Sequence, residues 1–345
     1  MRTEQMGQSP LKQDYSPSQR NDVHRFSCLF ESILHEKYTF MPLNIPDTLP
    51  AIELLRKENI FVFDETQANQ QDIRPLKIII LNLMPLKITT ETDLLRLLSN
   101  SPLQIEIDFL MISDHEHRNT PAEHMMTFYK TFKEVKNKKY DGMIITGAPV
   151  EHLPFEEVTY WEEMKTIMDW SVSHATSSLF ICWASQAGLF HFYGIPKYPL
   201  KKKLFGVFKH RISDDKLPIF RGFDDTYAVP HSRHTEIRAE DVRKVPGLEI
   251  ISYSKEAGVN MVMARNGKQF FVNGHSEYSR ETLSNEYKRD LAKGLQPEIP
   301  QNYYPYNNPD NEPLMTWRSA ANLLFTNWLN YYVYQETPYN LDDIR

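Results

Sequence analysis

The residues able to do chemistry in this sequence begin with Cys182. It stands in Ser178-Leu179-Phe180-Ile181-Cys182-Trp183-Ala184-Ser185-Gln186-Ala187-Gly188, where an apolar run gives way to small residues. The run over 179–181 predicts a buried strand, and residues 184–187 suit a helix that starts against a sheet. Cys182 falls at the changeover. A thiol at a strand-to-helix turn points out of the sheet's carboxyl edge, beside the first free N–H groups of the helix. Those groups and the positive helix end favour a thiolate and can hold a developing oxyanion. The plainer alternative is a small core residue, since free cysteine is among the most buried types.

His275 and Glu277, in Gly274-His275-Ser276-Glu277-Tyr278, are the second half of the chemistry. Two positions apart on an extended segment, their side chains share a face. A carboxylate there can polarise an imidazole, and an imidazole facing Cys182 can keep the thiolate. Taken alone, His-x-Glu is more often a satisfied surface pair. Both halves fall at the ends of expected strands, which favours a Cys182–His275–Glu277 triad.

Other candidates are weaker. Gly147-Ala148-Pro149-Val150 can supply a second oxyanion donor opposite the N–H of Trp183. Pro149 has no N–H, so the amide is that of Ala148 or Val150, and a plain turn fits equally well. Lys201-Lys202-Lys203 reads as a solvated charge run. His231-Ser232-Arg233-His234 contains an H-x-x-H pair without a third ligand at metal-site spacing, so no metal site is expected. Arg289 can clamp a carboxylate bidentately, or pair with Glu286 three residues earlier on a helix.

The elements that must position these groups follow from the hydrophobic pattern. Residues 76–83 are apolar on both faces, as in a central parallel strand. A helix starting at Thr90-Glu91-Thr92-Asp93 follows, with Leu94, Leu95, Leu97 and Leu98 as its buried stripe. Strands are expected over 104–112 and 141–146, and helices over 121–136 and 161–174. A short helix over 51–57 and a strand over 60–63 precede them. Strand and helix alternate as far as Gly194, which predicts a parallel α/β sheet with helices on both faces. Short runs over 204–212, 219–222, 226–229, 249–254, 259–264 and 268–273 then suggest an antiparallel extension, with a hairpin at Asn266-Gly267. Residues 279–295 form an amphipathic helix with Leu283, Tyr287 and Leu291 inward, and 317–334 an aromatic helix packed on the sheet. In such sheets chemistry gathers at the strands' carboxyl ends, where Cys182 and the turn after Thr146 fall.

With 345 residues, 41% of them hydrophobic, the chain can bury one large core, and its net charge of −6 gives no electrostatic reason to expect nucleic acid or membrane as partners. Two cysteines cannot build a disulfide scaffold, and neither a signal peptide nor a bilayer-spanning run is evident, so a cytoplasmic location is expected. Residues 1–40 are polar and read as a disordered or dispensable N-terminal extension. Residues 41–345 read as a single catalytic domain.

From Met41 to about Glu336 the chain resembles the homoserine O-acyltransferases of the glutamine-amidotransferase-like type. The segments that carry the resemblance are Met41-Pro42-Leu43-Asn44-Ile45-Pro46, Leu81-Asn82-Leu83-Met84-Pro85, Thr146-Gly147-Ala148-Pro149, Cys182-Trp183-Ala184, Pro230-His231-Ser232-Arg233-His234-Thr235 and Gly274-His275-Ser276-Glu277-Tyr278. The resemblance implies a flavodoxin-like α/β fold, a homodimer and a role in methionine biosynthesis, with no bound cofactor. It implies Cys182 as the acyl-thioester nucleophile, His275 as general base, Glu277 as its partner, and Lys203, Ser232 and Arg289 as homoserine contacts. It also implies that the residue after the Gly-Ala-Pro-Val turn selects the acyl donor, glycine accompanying succinyl-CoA and glutamate acetyl-CoA. Glu151 stands there, and its carboxylate would fill the acyl pocket and repel a succinyl carboxylate. The expected activity is therefore ping-pong acetyl transfer from acetyl-CoA to L-homoserine. Succinyl transfer, a glutamine amidotransferase and a non-catalytic binder on the same fold are the alternatives. Phe180 and Ala184, where amidotransferase elbows carry glycines, speak against the second, and the intact triad against the third.

Overall fold

The computed structural model describes residues 75–113, 120–338 and 340–344. The extension over 1–40, the motif at 41–46, and the helix and strand expected over 51–57 and 60–63 lie outside the described residues.

Strand β1 (Leu76–Leu81) is apolar at nearly every position and lies in the middle of the parallel region. It is flanked by β2 (Ile105–Leu110) and β4 (Tyr140–Ile145), both parallel to it. Beyond β4 come β5 (Ala175–Ile181) and β10 (Gln269–Val272), again parallel. β9 (Gly258–Ala264), β8 (Leu248–Ser254), β6 (Tyr198–Ile212) and β7 (Thr226–Glu236) then continue the same sheet antiparallel. With β3 (Tyr129–Lys130) on the far edge, the order is β3-β2-β1-β4-β5-β10-β9-β8-β6-β7. The expected parallel α/β sheet with an antiparallel extension is this sheet.

Period-two alternation sends Ile78 and Ile80 to one core and Ile79 and Leu81 to the other. The first core receives Leu94, Leu97 and Leu98 of α1 (Lys87–Leu98), Leu283 of α7 (Thr282–Ala292) and Leu324 of α8 (Arg318–Asn327). The second receives Met164 and Ile167 of α4 (Trp161–His174), and Ala184, Ala187 and Leu189 of α5 (Trp183–Tyr193). Three short helices complete the set: α2 (Ala122–Phe128), α3 (Phe132–Val135) and α6 (Ala239–Arg243).

Several expectations are corrected. α1 starts at Lys87, not Thr90, because the buried Lys87 Nζ donates to the carbonyls of Asn82 (2.6 Å) and Met84 (3.2 Å) and anchors an earlier first turn. Leu95 is exposed rather than part of the stripe. The helix over 121–136 is broken by β3, since Tyr129 and Lys130 pair with Phe109 and Leu110. Tyr129 also gives its hydroxyl to Glu91 at 2.5 Å. The strand expected over 219–222 is a 3-10 turn (Pro218–Phe220), as Pro218 has no N–H for a ladder. Leu291 faces solvent. The aromatic C-terminal helix leaves α-geometry at Trp328 and continues as a π-helical segment to Tyr334. It packs on the sheet as expected, with Trp328 Nε1 donating to Ser177 Oγ at 3.0 Å.

Candidate active site

Cys182 is the hinge between β5 and α5, with φ 53° and ψ −114°. A non-glycine residue held there stores strain of about 1–3 kcal/mol, tolerated where neighbours over-determine the backbone. Those neighbours are explicit. The Cys182 N–H donates to the Val272 carbonyl of β10 at 2.7 Å, and the Cys182 carbonyl accepts from Gln186 N–H at 3.3 Å. The first amides of α5, beginning with that of Trp183, follow directly, and an α-helix leaves them without intrahelical acceptors. The 147–150 turn lies alongside. A Cβ on Gly147 would stand 3.2 Å from Cys182 Cβ and 3.6 Å from Trp183 N, so a larger residue there would press on the elbow. Ala148, next in the chain, is buried there.

His275 follows β10, the neighbour of β5, which is how two residues distant in sequence meet. Residues 273–278 form a turn rather than the extended segment expected, with Tyr278 N–H donating to His275 carbonyl at 3.3 Å. The turn still brings His275 Nδ1 to 2.7 Å from Glu277 Oε1. Its other nitrogen is left for Cys182, whose sulfur is close enough to act on the charge of the ring. Burial pulls the imidazole pKa down, but the Cys182 sulfur and the Glu277 carboxylate outweigh it and hold His275 well above the ordinary histidine value. The ring is locked from two more sides. Its backbone N–H donates to Pro230 carbonyl at 2.9 Å, and Tyr278 stacks on it with ring centroids 4.1 Å apart. Cys182, His275 and Glu277 are therefore brought together, with a sulfur, an imidazole and a carboxylate in series.

Lys203 and Ser232 also converge, on a residue the sequence reading treated only as a helix partner. Glu286 Oε2 accepts from Lys203 Nζ at 3.2 Å and from Ser232 Oγ at 2.5 Å. Its Oε1 accepts from the Tyr278 hydroxyl at 3.1 Å. The available signal was position: Glu286 lies three residues after the buried Leu283 and so shares its helix face. Arg289 does not join this group. Its side chain is 53% exposed and pairs with Asp290 at 2.8 Å, so neither the substrate clamp nor the Glu286 pair is formed.

Glu151 sits at the end of the same turn as Gly147. Its Oε2 accepts from His234 N–H at 2.8 Å, and Thr235 Oγ lies 3.5 Å away. Thr235 Oγ donates to Gln186 Oε1 at 2.7 Å, which ties the Glu151 region to the helix opened by Cys182. The H-x-x-H pair splits, because residues three apart on β7 face opposite sides. His231 is buried against His210, with Nε2 atoms 3.2 Å apart. His234 instead approaches Glu151 and His152, and the potential ligand atoms of these three lie within 4.8 Å of one another. This is the one such group among the described residues.

A doubly covered sheet continuing into an antiparallel arm, with a cysteine elbow facing a His–Glu pair, defines the class I glutamine-amidotransferase-like fold. A solved glutamine amidotransferase from Thermotoga maritima shares it, with a TM-score of 0.50 at 14% identity, over 76% of this chain and 99% of that one. Residues 42–339 match the family model described as homoserine O-succinyltransferase, and the chain belongs to that family of acyltransferases. It is 66% identical to a homoserine O-acetyltransferase of Bacteroides thetaiotaomicron, over 88% of this chain and all of that protein. It is 57% identical to a homoserine O-acetyltransferase of Brevibacillus brevis, over 88% of this chain and 99% of that protein.

Proposed function

We propose that this chain is a homoserine O-acetyltransferase, moving the acetyl group of acetyl-CoA to the hydroxyl of L-homoserine through a cysteine thioester. The observation that carries the reading is the position of His275, 2.7 Å from Glu277 and under the influence of the elbow sulfur. A histidine whose pKa is raised by the sulfur and a carboxylate favours the thiolate–imidazolium form. The Cys182 thiolate attacks the thioester carbonyl, and the amides of Trp183 and Ala148 receive the oxyanion. When the intermediate collapses, the carbon–sulfur bond to CoA breaks and His275 gives its proton to the departing CoA thiolate. The imidazole, now neutral, takes the proton of the homoserine hydroxyl as that oxygen attacks the acetyl-enzyme. Collapse of the second intermediate returns the Cys182 thiolate and imidazolium.

Glu286 suits the ammonium of homoserine and Lys203 its carboxylate, with Ser232 between them. Arg289 would have to leave Asp290 to join Lys203. No helix among the described residues is long and apolar enough to cross a membrane, and both substrates are small and soluble. A reducing cytoplasm suits the free Cys182 thiol, and the homodimer belongs to the same proposal, with methionine biosynthesis as its setting.

The family description names succinyl, whereas the relatives above are named for acetyl. Glu151 supports acetyl. Its carboxylate is held by His234 N–H beside the elbow helix, where a succinyl carboxylate would meet a like charge. The test compares turnover of acetyl-CoA and succinyl-CoA by the wild type and Glu151→Gly. The expected result is wild-type preference for acetyl-CoA, with the ratio moving toward succinyl-CoA by on the order of a hundredfold, about 3 kcal/mol, in the variant. Faster wild-type turnover of succinyl-CoA would overturn the donor assignment. Intact-mass analysis after mixing with acetyl-CoA should show one acetyl group on Cys182.

A further inference from the structure

A cavity of about 450 Å³ opens beside Glu151, its lining including the apolar Phe155, Phe190 and Leu200 and the polar His152, Lys197 and His234. Its Glu151 wall belongs to the turn that follows the carboxyl end of β4, on the sheet edge where Cys182 sits. Two other cavities open at the opposite edge, around Thr176 and Lys268 and around Lys77 and Lys139. Glu151 is four positions after Gly147, which touches the elbow, so the cavity wall is at most about 14 Å of chain from that contact. His234 connects the cavity with the homoserine cluster. It lies two residues along β7 from Ser232, on the same face, and its pKa, lowered first by burial, responds to Glu151 and His152 on one side and Lys203 and Asp290 on the other.

We infer that this cavity receives the pantetheine arm of the acyl-CoA, which the acyl pocket at Glu151 leaves without a place. This inference rests on the acyltransferase reading above and adds the binding site of the donor.

The chemistry of the lining fits that arm. Pantetheine is a flexible chain of two amides and a gem-dimethyl group, and the stacked rings of Phe155 and Phe190, 4.9 Å apart, with Leu200 also in the lining, offer it apolar surface. Lys197 stiffens the lining, donating to the carbonyls of Glu151 and Leu153 at 2.6 Å each. It also lies 4.4 Å from the Phe155 ring centroid. Two carboxylates, Glu151 and Glu156, also line the cavity, so the phosphates of CoA belong outside it. The cation for them is Lys201, exposed next to the rim residue Leu200 and without an ion-pair partner among the described residues. Lys202, beside it, is engaged with Glu298 at 2.9 Å.

The experiment is calorimetric binding of CoA itself to the full chain, for wild type, Leu200→Trp to fill the cavity, and Lys201→Glu to reverse the rim charge. Thermal melting verifies that both variants fold, and Lys201→Glu changes only an exposed side chain. Expected is a CoA Kd raised at least tenfold in each variant, with the Lys201→Glu penalty shrinking as salt rises. In turnover, the loss of kcat/KM should be at least ten times greater with acetyl-CoA than with S-acetyl-N-acetylcysteamine, a thioester lacking the pantothenate and nucleotide. CoA binding within twofold of wild type in both variants would overturn the site, as would equal losses with the two thioesters. A wild type that binds CoA through this cavity but acylates neither Cys182 nor homoserine would support the site and overturn the proposed activity, so the two failures are distinguishable.

Discussion

A carboxylate accepting from Lys203, Ser232 and Tyr278 at once, as Glu286 does, has its position fixed before any substrate arrives. An amino acid entering there brings its own cation and anion, and can exchange the Glu286–Lys203 ion pair for two pairs of the same kind. The Tyr278 ring also stacks on His275, so Glu286 and His275, the proposed anchor and the proposed base, share one rigid support. Glu286→Gln should leave acetylation of Cys182 near the wild-type rate in a rapid-quench measurement. It should raise the homoserine KM about thirtyfold, roughly the 2 kcal/mol of a charge-assisted hydrogen bond. Equal loss in both half-reactions would remove Glu286 from this role. At this scale the sequence exposed the sulfur, imidazole and carboxylate, because each belongs to a short pattern at a strand end. It hid Glu286, since an acidic residue on a surface helix has no distinguishing local pattern. Arg289, singled out for its chemistry, turns outward to Asp290.

Among the elements, β6 carries an unusual constraint. Gly206 has φ 144°, and a Cβ there would stand 2.4 Å from the carbonyl oxygen of Gln301 and 2.5 Å from its nitrogen. On either side, Val207 N–H donates to that carbonyl at 2.8 Å, while Phe205 carbonyl accepts from Gln301 N–H at 3.0 Å. The proline-rich loop over 297–313 is thereby clamped to the strand that carries Lys203. Gly206→Ala should lower unfolding stability by on the order of 3 kcal/mol, read by urea titration, because the obstacle is backbone and cannot rotate away. A loss below about 1 kcal/mol would mean that the loop yields. The central parallel strand was legible because burial on both faces leaves Leu76–Leu81 apolar at nearly every position. β3 was not, because its two residues sit inside a helical pattern and only the edge of β2 turns them into a strand. The 3-10 turn at Pro218 shows the reverse, an apolar run too short to reveal its geometry.

The molecule as a whole has an acid-sensitive region. Arg233 Nε donates to His231 Nδ1 at 3.4 Å, and His210 Nδ1 donates to Phe208 carbonyl at 3.0 Å. The 3.2 Å bond between the two rings then runs from His231 Nε2–H to His210 Nε2, with both imidazoles neutral. Burial, eased by the Phe208 carbonyl and reinforced by Arg233, lowers His210 to about 4. Burial, then His210, Arg233 and His275, depress His231 well below its ordinary value. Below about pH 6.5 the unfolded chain therefore binds protons that the folded chain refuses, and stability falls as pH drops toward 4, by about 1.4 kcal/mol per pH unit for each histidine. His275 has the opposite sign: its raised pKa contributes stability that is complete below the unfolded value and fades as pH rises through the folded one. Urea midpoints should drop steadily between pH 6.5 and 4.5, and His210→Gln should flatten that slope while lowering stability at pH 7. An unchanged slope in the variant would assign the acid sensitivity elsewhere.

The pairing of β5 with β10 has a consequence for the order in which the protein becomes reactive. During synthesis the sulfur leaves the ribosome long before its imidazole, which arrives only once the whole antiparallel arm has been made and β10 has slotted in beside β5. Until then the thiol has neither the neighbouring imidazole nor the Val272 carbonyl that holds its strained backbone. A nascent or truncated chain thus carries a dormant cysteine, and the last strand to join the sheet is the one that arms it.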